Sequence, residues 1–359
     1  MGRAKLMSND YEAVVSSADT SVAQFEDHNK GLIGKFQHAL HVTPALVPLI
    51  VLIASIIIFG LLLGSKFFSP FALTLILQQV QIVGVLAAAQ SLIILTAGID
   101  LSVGAIAVLC SVIMGQMTFR YGIPVELSIL IGLTVGTAIG AINGWLVARV
   151  KLPPFIVTLG MWQIVLAANY IFSANETIRS QDIAAEAPAL QFFGTQLKFA
   201  GATFTYGVIF MLLLVFVLAY VLRHTAWGRH VYAIGDDPEA AQLAGVNVNR
   251  TLIQVYAVVG LICAFAAWVM IGRFGSVSPS ATTGVIGNIQ SITAVVIGGI
   301  SLFGGRGSIL GALFGALIVG VFELGLRMYG ADPQWTFMFI GLLIIAATTV
   351  DQWIRKVSA

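Results

Sequence analysis

Long apolar segments alternate with short polar ones from residue 45 almost to the end of the chain. A transmembrane α-helix needs about 20 apolar residues to cross roughly 30 Å of hydrocarbon. Ten segments approach that length, and the third, eighth and tenth are short enough to be tilted, broken or re-entrant. They cover residues 45–63, 73–97, 103–118, 126–147, 155–173, 206–222, 252–271, 286–300, 308–328 and 335–350. The pattern predicts an all-α polytopic membrane protein with about ten transmembrane helices.

Glycines mark packing faces and helix breaks in these segments. The fourth segment has one at every fourth position, which makes a smooth face that another backbone can approach closely. These residues are Gly132, Gly136, Gly140 and Gly144. Glycine-rich breaks at 98–104 and 299–305 follow the second and eighth segments, each after a Gln-Ser pair. Two halves that share a broken helix are common in transporters.

A polar island, Arg223–Arg250, separates the sixth and seventh segments. Within it, Asp236–Gly245 has the signals of one short helix. Either aspartate at its start, Asp236 or Asp237, can be the N-cap, and Pro238 is tolerated in the first turn. The island therefore contains a short helix with a defined beginning.

Further signals delimit this short helix at both ends. Glu239 stands three residues after Asp236, the spacing of a capping box, and Gly245 can adopt the left-handed conformation that ends a helix. Because two turns do not persist alone in water, we expect this helix to dock onto a partner, or else to pack on its own protein as an ordinary loop helix. Its predicted exposed face is small and apolar: Ala240, Ala241 and Ala244, with Leu243 alongside.

Composition and charge agree with a membrane protein. Of the 359 residues, 58% are hydrophobic and 9% are charged, whereas soluble domains carry about 25% charged residues. A net charge of +2 gives no reason to expect nucleic acid as a partner. The two cysteines lie in apolar runs and the five histidines outside them, so we expect no disulfide framework, metal site or cofactor.

The distribution of basic residues predicts the orientation. With the N-terminus inside, twelve of the 18 Lys and Arg residues fall in cytoplasmic segments, which fits the positive-inside rule. The expected organisation is a polar cytoplasmic tail at 1–43, a permease domain at 44–352 and a cytoplasmic C-terminus at 353–359. Both termini are then inside, the 223–250 island faces the cytoplasm, and the 174–205 loop faces outward.

Few ionisable residues lie within the apolar segments, and such residues are functional candidates. Glu323 and Arg327 stand four apart in the ninth segment, in the order that favours a helical ion pair over a proton relay. Asp100 and Ser102 lie where they would cap the third helix. Neutral amides suit an uncharged solute such as a sugar, since they both donate and accept hydrogen bonds. The candidates for the substrate path are Gln90, Asn143, Asn169, Asn288 and Gln290.

Three functional classes compete. A proton-coupled secondary transporter needs central carboxylates or histidines, and only Glu323 qualifies. A membrane enzyme needs a cluster of reactive side chains at one interface, which the sequence does not contain. The permease subunit of an ATP-driven importer needs a helical pore and a short cytoplasmic helix, and the sequence supplies both. The sequence therefore favours the importer, with the secondary transporter as the alternative.

Several motifs resemble those of the bacterial monosaccharide ABC importer permeases, the ribose, xylose, arabinose and fructose group. They are AGIDLSVG at 97–104, Asn143-Gly144, KLPPFIVTLG at 151–160, the 228–245 loop and the 298–311 stretch. The collinear resemblance covers residues 45–352, and across the whole chain it favours fructose or ribose as the sugar. It implies a permease homodimer among the lipids of the inner membrane, with a sugar-binding protein on the periplasmic face. It also implies a separate ATPase, often with two fused cassettes, seated on the coupling helix at Asp237–Gly245, and alternating access without covalent chemistry.

Overall fold

A computed structural model describes residues 45–358, and the predicted tail at 1–43 lies outside this range. In chain order the elements are α1 (Leu46–Leu63), α2 (Pro70–Leu95), α3 (Val103–Phe119), α4 (Val125–Ala148), α5 (Pro154–Ser173), α6 (Ser180–Glu186), β1 (Gln196–Phe199), β2 (Ala202–Thr205), α7 (Tyr206–His224), α8 (Ala226–Asp236), α9 (Pro238–Leu243), α10 (Val248–Phe274), α11 (Ala281–Ile297), α12 (Ile309–Tyr329) and α13 (Pro333–Ser358). Short 3₁₀ turns occupy Gly64–Lys66 and Pro188–Gly194.

An apolar helix occupies each of the ten predicted segments, so the predicted all-α polytopic fold is confirmed. Seven of the described helices are long and apolar enough to cross a membrane, while α3 and α11 are shorter. The last helix runs beyond its predicted end, to Ser358. The departures are small elements in the polar loops: the antiparallel hairpin of β1 and β2, and the helices α6 and α8.

The glycine face of α4 packs against α10, the longest helix described here. A Cβ on Gly140 would overlap the carbonyl oxygen of Tyr256, and a Cβ on Gly136 would lie 2.7 Å from that of Gly260. The side-chain-free face therefore lets the two backbones touch. This contact places α10 at the centre of the molecule, where its residues from Tyr256 to Ile271 are largely buried.

The helices α2 and α11 end in the same way. Ala97 and Gly299 both have left-handed backbones, with φ of 58° and 76°. Each end closes with a pair of reversed hydrogen bonds, from Ala97 and Gly98 to the last turn of α2, and from Gly299 and Ile300 to the last turn of α11. This pattern is a Schellman cap. The two breaks also meet, because the N–H of Gly305 donates to the carbonyl of Leu95 at 3.0 Å.

Candidate functional site

The short helix α9 is capped at both ends by its own sequence. The Asp237 carboxylate accepts hydrogen bonds from the N–H groups of Glu239 at 2.9 Å and Ala240 at 3.0 Å. Pro238 occupies the first turn. At the other end, Gly245 has φ +88°, and its N–H donates at 3.0 Å to the carbonyl of Gln242. The sequence alone therefore fixes where this helix begins and ends.

Asp236 does not have its predicted place in this helix. It is the last residue of α8, and the N-cap of α9 is Asp237. Three residues after Asp237 stands Ala240, which has no carboxylate, so the predicted capping box from Asp236 to Glu239 is not formed. The predicted short helix is therefore α9, which begins after Asp237, and a separate helix, α8, ends at Asp236 directly before it.

The exposed face of α9 also differs from the prediction. Ala241 is only 5% exposed and packs against its own protein, whereas Leu243 is 90% exposed. Ala240 and Ala244 are exposed beside it. Single exposed leucines are common on protein surfaces, but this one is the large apolar side chain that the short, capped helix presents to solvent. The surface that α9 offers a partner is therefore centred on Leu243 and excludes Ala241.

The helix α8, which the sequence analysis missed, joins α9 to both helix breaks. Its first turn is capped by Thr225, and Val231 and Ile234 face the protein. Gly235 lies directly on the break, since a Cβ there would overlap the carbonyl oxygen of Leu95 and lie 2.6 Å from the nitrogen of Gly305.

A hydrogen bond adds to this contact. The hydroxyl of Tyr232 donates to the carbonyl of Gly307 at 3.0 Å. Burial raises the pKa of Tyr232, which keeps the phenol protonated and able to donate. The pair of α8 and α9 is therefore fastened to the ends of α2 and α11.

A groove of about 380 Å³ flanks the C-terminal end of α9. Its lining residues are Arg149, Gln242, Gly245, Val246, Asn247, Val248 and Asn249. Lys151 lies beside it and donates to the side chain of Asn249 at 3.2 Å. The groove at the C-terminal end of α9 therefore has basic residues from the end of α4 and the loop after it at its edge.

The chain between α2 and α3 is buried and polar. The Asp100 carboxylate accepts from the N–H of Ser102 at 2.7 Å and from its hydroxyl at 2.6 Å. This turn holds the carboxylate next to the start of α3, where the helix dipole favours a negative charge. Ser102 occupies the N-cap position of α3, but, contrary to the prediction, its hydroxyl makes no capping hydrogen bond to the helix because it is turned to Asp100. The Ser102 hydroxyl accepts in turn from the amide of Asn143 in α4 at 3.1 Å.

Two more helices hold the same segment. Thr158 in α5 donates to the carbonyl of Ile99 and accepts from the N–H of Leu101, both at 3.1 Å. Asn288 in α11 donates to the carbonyl of Leu101 at 3.1 Å. Three helices, α4, α5 and α11, therefore hold one helix break through side-chain hydrogen bonds, two of them from Thr158.

Glu323 has a full set of partners. One carboxylate oxygen accepts from Gln79 at 3.1 Å and from Gln290 at 3.3 Å, and the other accepts from Arg327 at 3.0 Å. Gln290, a predicted residue of the substrate path, is part of this cluster. Its amide is bound to the carboxylate because α11 turns this position toward α12. Glu323 therefore ties α2, α11 and α12 together.

We expect Glu323→Gln to lower the thermal stability of the purified permease. A glutamine side chain has one acceptor oxygen and one amide NH2 group, which cannot accept, whereas three donors converge on Glu323. At least one of these donors therefore loses its partner. Losing a hydrogen bond to a charged group costs about 1.5–3 kcal/mol. Arg327→Gln is the matched control, because the Arg327 side chain is 71% exposed and should matter less. Equal melting temperatures for the wild type and Glu323→Gln would contradict this role.

The remaining path candidates are buried amides. Asn169 donates to the carbonyl of Pro279 at 3.1 Å. Gln90 is fully buried, and neither polar atom of its side chain has a partner among the described residues. Within that part of the chain, no group of His, Cys, Asp or Glu has the arrangement of a metal site. What these positions have in common is an uncharged polar group that still has capacity for hydrogen bonds.

The arrangement is a bundle of apolar helices, seven of the described ones long enough to span a membrane, with a helix pair packed against two helix breaks. A family model described as the permease component of branched-chain amino acid transport systems matches residues 72–348. The chain therefore belongs to this family of ABC importer permeases. Its members are multi-pass proteins of the inner membrane and work with a separate ATPase subunit and a periplasmic binding protein. The alternative, a secondary transporter, is disfavoured.

Several similar proteins are sugar import permeases. The fructose import permease FrcC of Rhizobium meliloti is 67% identical over 98% of this chain and 97% of its own length. The ribose import permease RbsC of Escherichia coli K12 is 34% identical over 86% of this chain and 92% of its own length. The galactose/methyl galactoside import permease MglC of the same organism is 32% identical, over 85% and 92%. No solved structure matches the chain.

Proposed function

We propose that this permease carries a monosaccharide, fructose or a ribose-like sugar, across the inner membrane. The observation that supports the sugar most strongly is the 67% identity to a fructose import permease over 98% of this chain. The test begins with the periplasmic binding protein, melted in the presence of fructose, ribose, xylose or galactose. The sugar that raises its melting temperature should also enter proteoliposomes that contain the permease and its ATPase. A complex that imports none of these sugars would overturn the proposal.

We infer that the ATPase seats on α9. The support is geometric: a helix with two firm caps presents Leu243 to solvent, and α8 holds that helix against the breaks of α2 and α11. Movement of α9 would be passed through Gly235 and Tyr232 to the buried segment at 98–102. Because binding protein and ATPase would prefer different states of these breaks, their binding shifts the permease between inward-open and outward-open states.

We propose the orientation that the basic residues predict, with both termini and α9 inside. In cells with a permeabilised outer membrane, an impermeant thiol reagent should label Lys198→Cys in the exposed β1 strand. Gln242→Cys, on the exposed part of α9, should react only after the inner membrane is opened. The native cysteines are buried and should remain unlabelled. Rapid labelling of Gln242→Cys from outside would reverse the whole arrangement.

A second copy of the chain is proposed to cover the outer face of α5. Gln163 is exposed near the middle of this helix, and a Cβ on Gly160 would meet nothing within 4 Å. An amide facing hydrocarbon is unfavourable, and small residues favour close helix contacts. The remaining apolar surface of α5 would contact lipid.

A further inference from the structure

Three buried asparagines in different helices share one pattern of hydrogen bonding. Asn143, Asn169 and Asn288 each donate through Nδ2 at 3.1 Å, to Ser102, Pro279 and Leu101 respectively. The Oδ1 atom of each is buried and has no partner among the described residues. An acceptor buried without a donor is unfavourable, and native proteins contain few of them. Each of these three amides therefore uses its donor and leaves its acceptor oxygen without a partner.

Two of these amides lie along one cleft. Its floor is α3, which packs against both α5 and α11. Near the start of α3 the backbones of Gly104 and Gly284 touch, since a Cβ on Gly104 would overlap the Gly284 carbonyl and lie 3.1 Å from the nitrogen of Asn288. Asn169 lies farther along α5, toward the 174–205 loop. The cleft thus has Asn169 at one end and Asn288 with the helix break at the other.

A small cavity in this cleft is lined in part by Asn169, whose Oδ1 atom has no partner among the described residues. The lining residues are Ala105, Val108, Trp162, Leu166, Asn169, Ala281 and Gly284. Its volume of about 10 Å³ holds about one water molecule, so the cleft is closed. The side chain that joins its walls is Asn169, through the hydrogen bond to Pro279 just before α11.

The chemistry of the cavity selects its ligand. An unused carbonyl oxygen accepts from hydroxyl groups and repels anions, and none of the lining residues is basic. Trp162 supplies a broad apolar surface for the C–H face of a ring. An uncharged sugar matches both features, because its hydroxyl groups can donate to the free oxygen and its C–H face can pack on Trp162. A sugar phosphate or a sugar acid carries a charge that this wall cannot pair.

We propose that Asn169 and Trp162 form a subsite for the hydroxyl groups of the translocated sugar. The subsite opens when the hydrogen bond between Asn169 and Pro279 is released and α5 parts from α11. In the open cleft the Oδ1 atom of Asn169 accepts from the sugar. The inference rests on the proposed function, that the chain carries a monosaccharide.

The test compares Asn169→Leu with Asn169→Asp in proteoliposomes that contain permease, ATPase and loaded binding protein. Leucine has a similar size and no polar atom. Aspartate retains a carbonyl acceptor and, when protonated, a donor toward Pro279. We expect Asn169→Leu to lower fructose or ribose uptake per ATP hydrolysed by at least about tenfold, the factor for one lost hydrogen bond. Asn169→Asp should retain most of that uptake, and ATP hydrolysis stimulated by the binding protein should be unchanged in both.

Each outcome decides the matter. The subsite proposal is overturned, provided that the wild type imports sugar, by either of two results. One is wild-type uptake per ATP in Asn169→Leu, and the other is an equal loss of uptake and of ATP hydrolysis in that variant. If the wild type imports no sugar, the proposed function itself fails. Should Asn169→Leu not fold, Trp162→Ala takes its place. It is expected to cause a similar loss, and unchanged uptake would contradict the proposal.

Discussion

The substitution Leu243→Asp is expected to separate the permease from its ATPase and to abolish sugar uptake. Leu243 is 90% exposed at the tip of α9, so the helix itself should tolerate the change. Burying a leucine side chain at an interface contributes about 1.5–3 kcal/mol, and an unpaired carboxylate in the same place adds a desolvation penalty. We expect the affinity for the ATPase to fall by more than about a hundredfold.

The measurement is co-purification of the ATPase with a tagged permease. Leu243→Met, which retains an apolar side chain, is the matched control and should keep the ATPase. Ala241→Arg is a second comparison: because Ala241 is buried against its own protein, this change should reduce the amount of folded permease. Normal recovery of the ATPase with Leu243→Asp would show that α9 is an ordinary loop helix.

The substitution Gly235→Val is expected to break the link between α9 and the membrane domain. Any Cβ at this position overlaps the carbonyl oxygen of Leu95 and comes within 2.6 Å of the nitrogen of Gly305. Backbone atoms cannot yield as a side chain does, so α8 must move away from both breaks. Overpacking a well-packed core costs about 1–3 kcal/mol, and here it also changes the position of a helix.

We therefore expect Gly235→Val to hold its ATPase, whose docking surface on α9 is unchanged, but to lose most sugar uptake. Parallel assays of co-purification, ATP hydrolysis and uptake distinguish this result from simple unfolding. Gly341→Ala is the control, because a Cβ there meets nothing within 4 Å. Wild-type uptake by Gly235→Val would mean that α8 does not transmit movement from α9.

The membrane helices could be predicted because their signal is local. A long apolar run has few alternatives to a helix in lipid, where every backbone group must find a partner within its own segment. The caps of α9 could be predicted for the same reason, since Asp237, Pro238 and Gly245 act on neighbouring backbone. In both cases the residues that determine the structure are adjacent in sequence.

The structure differs from the prediction where contacts between segments far apart in sequence determine the local structure. The helix α8 contains Gly228 and Gly235, which disfavour a helix on local grounds. It forms against the backbone of two distant segments, which only tertiary packing brings next to it.

 In the structure its partners are the carbonyl of Leu95 and the nitrogen of Gly305. The face of a six-residue helix is likewise set by what packs beneath it, so the burial of Ala241 could not be predicted from spacing.

The role of each buried amide also depended on its neighbours. Gln290 and Asn288 are two residues apart on α11, yet Gln290 turns toward Glu323 and Asn288 toward the break at Leu101. Sequence identified both as polar positions in an apolar helix and could not distinguish a structural partner from a free acceptor. Only the arrangement of α3, α5 and α11 makes that distinction.

The most direct test is sugar uptake into proteoliposomes that contain the permease and its ATPase, with ATP confined to the side that α9 faces. We predict that uptake requires this ATP and the loaded binding protein on the opposite side, and that a proton ionophore leaves it unchanged. Uptake that continues without ATP and collapses when the ionophore is added would contradict the account.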